Sequence, residues 1–342
     1  MHELLSEIDC HNKKTNLAYV LLRNTRKVER RENAINILFI AEDTSGFINK
    51  NFYYLEQELA KVVNVQVWRK SGHISFILKQ LETEPDFILL MNDMDKDWTP
   101  RIKGLAHINI PTGLFINDIH RFTKLRKAYI EKNNISYLFP IIRDVFLETY
   151  PEYEKKMEWF PHFVQLDLYK DYGLEKDINL LIMGAVNEYY PLRQKIIKAY
   201  EGDSDFVYHS HPGYRNFNKE EEDEKMIGEK YAKEINRSKI MFTCPSVLHY
   251  PVQKYFEALA CKTLLLAPTF KELEDLGFIP DYHFVAINED NFQKKADYYL
   301  KDEKERQKIT EQGYAFIREK HSIEHRTLQL VQTLKRLLKG RS

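Results

Sequence analysis

Lys254 and Glu257 stand three residues apart in Pro245-Ser-Val-Leu-His-Tyr-Pro-Val-Gln-Lys-Tyr-Phe-Glu-Ala-Leu-Ala-Cys, a segment that reads as a loop running into a helix. At that spacing both side chains leave the same side of the helix. A carboxylate so placed can accept both hydroxyls of a ribose, and a lysine near a helix start can hold a diphosphate. The same spacing also suits an ordinary surface ion pair. Arg193, after the Gly184 turn, can pair with Glu188 or Glu201, and His211-Pro-Gly-Tyr214 can be a turn. Asp118 and His120 follow an apolar strand, where a cleft acid or base belongs, although a strand-end aspartate also serves as a helix cap. Glu42 and Asp43, after the first strand, compete for that role. Asp93 and Asp95 lie in Asn92-Asp-Met-Asp-Lys-Asp97, a spacing that can hold a divalent cation or form a plain acidic loop.

The elements that would position these residues alternate strand and helix. Residues 35–40, 65–68, 86–91, 108–111, 113–116 and 135–139 read as strands, with helices at 52–62 and 75–82. A polar stretch from Trp159 to Asp177, broken by Pro161 and Gly173, reads as a linker. Alternation then restarts: strands at 178–183, 206–208, 239–243, 263–267 and 284–287, helices at 191–200, 220–237 and 252–260, and a helical tail from 291. This predicts an α/β chain of two Rossmann-like domains facing across a cleft, with ligands at the strand C-terminal ends. We divide it as a helical appendage at 1–34, an acceptor-side domain at 35–165, a nucleotide-binding domain at 166–325 and a C-terminal helix at 326–342.

Composition narrows the function classes. The chain has 342 residues, and 43% of them are hydrophobic, enough for two cores. Lys plus Arg and Asp plus Glu number 51 each, so no global field favours nucleic acid or an anionic membrane, and an anion must be held locally. The basic stretch Arg23, Arg26, Lys27, Arg30 and Arg31 can touch an acidic partner or lipid head groups, but it reads first as a solvated helix face. Cys10, Cys244 and Cys261 are scattered and unpaired in sequence, which fits a reducing cytosol and neither a disulfide framework nor a zinc site. The first residues lack a signal-peptide layout, and no apolar run reaches the roughly 18 residues of a membrane span.

The C-terminal half resembles the group 1 glycosyltransferases and, within them, the CgeB-like spore-maturation proteins. The resemblance rests on Lys254 followed by Phe256-Glu-Ala-Leu-Ala-Cys261 and an apolar strand. It continues through Phe270, Leu273, Gly277, Ala296-Asp-Tyr-Tyr-Leu300, Glu305-Arg306, Gly313 and His321-Ser-Ile-Glu-His-Arg326. Upstream, Tyr190-Pro-Leu-Arg193, His211-Pro-Gly-Tyr214, Asp118-Ile-His120 and Trp159-Phe-Pro-His162 also look like family positions. The resemblance implies a GT-B fold and transfer of a sugar from a nucleotide diphosphate sugar to an acceptor that is not specified. It further implies that Glu257 holds the ribose, that Lys254 and Arg193 neutralise the diphosphate, and that His211, Gly213, Tyr214, Ser246 and Tyr250 complete the donor site. Asp118 and His120 would serve as acid or base. Many retaining relatives carry a second glutamate eight residues before the position of Glu257, where this chain has His249; we place His249 beside the donor sugar and leave the stereochemical outcome open. Fixed cations can stabilise a departing nucleoside diphosphate without a metal, so no cofactor is expected. Two other readings keep the fold: a non-catalytic nucleotide-sugar or glycan-binding protein, and a polyol-phosphate transferase.

Overall fold

The computed structural model describes residues 35–91 and 100–340. The appendage at 1–34, with its basic stretch, and the run holding Asp93 and Asp95 lie outside the described residues. The first half contains β1 (Asn36–Ile40), α1 (Asn51–Val62), β2 (Asn64–Trp68), β3 (Gly72–His73), α2 (Ile74–Leu78), β4 (Phe87–Leu90), β5 (Ile102–Lys103), β6 (Thr112–Ile116), α3 (Thr123–Lys132), β7 (Tyr137–Pro140) and α4 (Arg143–Thr149). Its five-stranded sheet has the order β2-β1-β4-β6-β7, with every neighbouring pair parallel. Strand residues alternate between two cores: Ile37 and Phe39 of β1 pack on the α1 side, Leu38 and Ile40 on the side of α2, α3 and α4. Continuous apolar runs in the sequence are the mark of this two-sided burial.

The second half repeats the plan with β8 (Ile178–Met183), α5 (Pro191–Ala199), β9 (Phe206–His209), α6 (Lys219–Glu224), α7 (Gly228–Asn236), β10 (Ser238–Phe242), α8 (Lys254–Ala260), β11 (Leu264–Ala267), α9 (Lys271–Asp275), β12 (Val285–Ala286), α10 (Phe292–Lys301), α11 (Glu303–Lys320) and α12 (Ile323–Lys339). Its sheet order is β12-β11-β10-β8-β9, again wholly parallel. Counted along each main sheet, both orders are 2-1-3-4-5. The chain reverses direction between the first and third strands, and ligands of such folds bind at that switch point. In the second half it lies between the ends of β8 and β10.

Two expected elements differ. Residues 108–111, expected as a strand, follow a 3-10 turn (Leu105–His107) entered through Gly104 at φ 82, and Pro111 has no N–H to extend a ladder. The expected helix at 220–237 is two helices. Asn218 and Glu221 form a reciprocal capping box that starts α6, and the chain then turns extended at Lys225 before Gly228, at φ 55, opens α7.

The halves are joined twice. Val164 donates to the His321 carbonyl at 2.9 Å, and Ile323 donates to the Val164 carbonyl at 3.0 Å, so the outgoing linker and the returning chain form one bridge. His321 Nε2 meets the Leu276 carbonyl at 2.9 Å, which makes Nε2 the protonated nitrogen and leaves Nδ1 to accept from Arg326 at 2.9 Å. Burial and Arg326 hold the His321 imidazole down to about 3, so it is neutral. The His321 to Arg326 motif therefore clasps the crossover. Beyond it, α12 leaves the second half and buries Leu330, Leu334 and Leu337 against the first-half core beside α1.

Gly313 has a packing reason. A Cβ there would lie 2.3 Å from the His283 carbonyl oxygen and 2.5 Å from Leu259 Cδ2, so α11 approaches α8 as closely as backbone allows. Gly313→Ala, although it favours helix by about 1 kcal/mol, should lower stability by about 1–3 kcal/mol through overpacking. Urea unfolding reads this as a lower midpoint at constant slope; an unchanged midpoint would show that α11 can back away.

Glu272, 1% exposed, ties the halves together by accepting the N–H groups of Arg143 at 2.7 Å and Asp144 at 2.9 Å. Burial pushes its carboxyl up to about 7, against those two N–H groups. A carboxyl raised in the folded state binds its proton more tightly there than in the unfolded chain. Its contribution to stability is therefore full below about pH 4.5 and is lost as pH rises through about 7. The stability difference between wild type and Glu272→Gln should change over that window and be flat above it; a pH-independent difference would refute the linkage.

Candidate active site

Gly184 ends β8 with φ 122, a conformation that other residues rarely adopt. A Cβ on it would lie 3.0 Å from Arg193 Nη1, 3.1 Å from Lys254 Cε and 3.4 Å from Lys254 Nζ. The two cations thus converge on a bare stretch of backbone at the switch point. Arg193 comes from the first turn of α5, where Pro191 sets the entry, and is 2% exposed. Its Nη1 donates to the Ala185 carbonyl at 2.5 Å, and its guanidinium carbon lies 4.0 Å from the centroid of the Tyr190 ring. Arg193 Nε and Thr243 Oγ1, both buried, have no hydrogen-bond partner among the described residues.

Lys254 opens α8, and Glu257 follows one turn later, 7% exposed. Burial lowers the proton affinity of Lys254, Arg193 lowers it further, and Glu257 opposes both. The Glu257 carboxyl is pushed up by burial and pulled back by Lys254, Tyr231 and Tyr169. The Tyr231 hydroxyl donates to Glu257 Oε2 at 2.7 Å. His211 completes the cluster. Burial, Lys254 and Arg193 hold its imidazole down to about 4, so it is neutral near pH 7. Its Nδ1 accepts from the Gly213 N–H at 3.0 Å, which leaves Nε2 protonated and able to donate to an anion. Gly213, at φ 99, makes the turn that allows this, and Tyr214, 72% exposed, packs its ring 4.4 Å from that of His211.

The loop at 245–250 carries the next residues. Ser246 is buried and spends its hydroxyl on the Leu248 N–H at 3.2 Å, so it shapes the turn. His249 adopts φ 54, with its ring 6.5 Å from Phe270. Tyr250 reaches the first half: its hydroxyl lies 2.9 Å from His120 Nδ1.

On the first-half side, Asp118 and His120 follow β6. Asp118 lies 3.4 Å from Arg121, and Asp43 accepts the Ser45 N–H at 2.9 Å, which makes the latter a turn anchor. Sequence reasoning missed Arg126. Fully buried in α3, it donates to the carbonyls of Asp118, Ile119 and Arg121 at 3.2, 3.3 and 2.8 Å, and to Tyr150 Oη at 2.6 Å. It thereby fixes the loop that presents His120; nothing in the sequence marks the partners this arginine meets. The two sides also touch where Phe47 pairs with Asn216 as an antiparallel bridge, where Lys50 meets Glu222 at 2.5 Å, and where Asn51 donates to Gln253 at 3.2 Å.

Residues 180–332 match the family described as glycosyl transferase-like. No curated protein matches the chain in sequence. Among solved structures, sucrose-phosphate synthase from Thermosynechococcus elongatus is similar at TM-score 0.61 and 12% identity, covering 90% of this chain and 100% of that one. Anabaena HepE in complex with UDP-glucose is similar at TM-score 0.57 and 9% identity, covering 88% of this chain and 99% of that one. A glycosyltransferase from Rickettsia africae gives 0.56 and 11%, covering 90% and 99%. The expected pair of facing α/β domains is thus the fold of known glycosyltransferases, and the family match spans the strands and helices that carry Arg193, His211, Lys254 and Glu257. The chain has the fold of known glycosyltransferases and carries a glycosyl transferase-like region at residues 180–332.

Proposed function

We propose that the protein binds a nucleoside diphosphate sugar around Gly184 and transfers the sugar without a metal ion. The observation that carries this reading is the convergence of Arg193 and Lys254 on Gly184, one helical turn from Glu257, with the His211 imidazole held neutral under the influence of both cations. Arg193, Lys254 and His211 hold the diphosphate, and Glu257 takes the ribose hydroxyls. Gly213 and Tyr214 border the donor, the Ser246 turn presents His249 toward the sugar, and Tyr250 spans from donor to acceptor side. UDP is the first nucleotide to test, since the structural neighbour HepE was crystallised with UDP-glucose.

In the transfer, an acceptor oxygen bonds to the anomeric carbon while the bond from that carbon to the diphosphate breaks, its electron pair leaving with the phosphate oxygen. Arg193 and Lys254, fixed in place and shielded from water, stabilise the charge that develops there. The acceptor's proton passes to His120 or Asp118. The Tyr250 hydroxyl on His120 Nδ1 orients the ring for this. Membership of the CgeB-like branch is supported by the order of motifs from Lys254 to Arg326. No described helix is long and apolar enough to cross a membrane, and Cys244 and Cys261 are free buried thiols; both fit work in a reducing cytosol.

Thermal shift against UDP, GDP, CDP, TDP and ADP, with and without manganese, tests the reading. A ligand at 100 times its Kd should add about 2.7 kcal/mol of stability. One diphosphate should stabilise the wild type selectively and without manganese, and Lys254→Ala and Gly184→Ala should each abolish the shift. Stabilisation that needs manganese would overturn the metal-independent mechanism, preference for CDP would favour polyol-phosphate transfer, and no shift at all would favour a non-catalytic protein. Slow release of nucleoside diphosphate from the matching donor, absent in Lys254→Ala, would establish turnover.

A further inference from the structure

Glu257 is held by more than its own helix. Tyr231, from α7, donates to Oε2 at 2.7 Å, and Tyr169, from the linker ahead of β8, packs on the Tyr231 ring and helps pull the proton affinity of the carboxyl down. The two rings pack edge to face, with centroids 6.2 Å apart and planes at 89°. Two phenols from two separate elements therefore gather at one carboxylate. Neither lies in the Lys254 to Leu266 segment, and neither touches Arg193 or His211 in any contact of the structure described here.

A carboxylate that is to receive two vicinal hydroxyls must stay ionised and keep a fixed plane, because each hydroxyl needs its own lone pair in a defined direction. Glu257 has neither condition guaranteed: burial disfavours its charge, and three side-chain torsions leave its plane free. We propose that Tyr231 and Tyr169 are positioning residues that fix the Glu257 carboxylate for the ribose hydroxyls of the donor, so that the protein selects nucleotides by their ribose through this clamp. The proposal rests on the reading that Glu257 holds the ribose.

The surroundings support it. The charged and titratable groups facing Glu257 are Lys254 on its own helix, Tyr231, Tyr169, the Cys261 thiol one turn on and Tyr214 across the site. Burial, with the Glu257 charge, pushes both clamp phenols well above their usual range, so they remain proton donors across the working pH. Removing one donor would raise the Glu257 carboxyl further and make ribose recognition fail first at low pH.

The test measures calorimetric Kd values for UDP, GDP, CDP and ADP, each beside its 2′,3′-dideoxy analogue and beside inorganic pyrophosphate. Wild type, Tyr231→Phe, Tyr169→Phe and Glu257→Ala are compared at about pH 6 and about pH 8, either side of neutrality. Wild type should prefer the ribose form of its nucleotide by about tenfold, the worth of one charge-assisted hydrogen bond. Each phenylalanine variant should lose most of that preference, more so at about pH 6, while its pyrophosphate affinity holds. Both keep the edge-to-face packing, and if one fails to fold the other carries the measurement. Full preference in both phenylalanine variants, with loss in Glu257→Ala, would overturn the clamp alone. Full preference in Glu257→Ala would overturn the ribose assignment, and the clamp with it.

Discussion

Two cations held out of water beside each other, Arg193 and Lys254, set the terms for the rest of the second half. Burial disfavours the charge of Lys254, and Arg193 beside it disfavours it further. Glu257 relieves part of this from one side, but its own charge is strained by burial and steadied by two phenols. The arrangement exists because Gly184 removes the side chain that would fill the space between them, and because Pro191 and the short loop before Lys254 start two helices at one sheet edge. An anion with two or more charges would satisfy the cations and the unpartnered Arg193 Nε together. On the proposed reading this is how the site would be prepared for a diphosphate: its cost has been met by folding, before any ligand arrives.

The identical strand order of the two sheets explains why this edge faces a partner. Each sheet opens its switch point at the C-terminal ends of its strands, and the loops from those ends interlock: residues 46–48 after β1 meet residues 215–217 after β9, and His120 after β6 meets Tyr250 after β10. The contacts are polar and short-ranged, as suits walls that close on a ligand. The apolar area is kept in the four cores flanking the sheets. Behind the cleft, Glu272 on the α4 N–H groups and the His321 and Arg326 clasp hold the crossover.

Much of this was legible in the sequence because apolar runs buried on both faces are hard to mistake for anything else, and the runs at 35–40, 86–91, 178–183 and 263–267 fell where strands were found. The split of the helix at 220–237 was not legible, since the acidic turn and the amphipathic turn after it are both good helix; Gly228 was the signal. Arg193, Lys254, His211 and Glu257 were readable through their motif and are brought together. Ser246 was placed in the site and is occupied with its own turn. Tyr231, Tyr169 and Arg126 were invisible, because a tyrosine or arginine on a helix or in a linker carries no mark of the distant group that it will meet. Such residues act through tertiary contacts between elements remote in the chain, which neither periodicity nor spacing encodes.

The return of α12 to the first-half core makes that domain discontinuous. Its sheet is made from the first part of the chain, but one wall of its core, with Ile323, Leu330, Leu334 and Leu337, is made last. On the ribosome the first domain would therefore present an uncovered apolar face throughout synthesis of the second, and would close when the final helix emerges. Maturation of the two domains is coupled by chain order: the cleft cannot be framed on its first side until the second half has been completed.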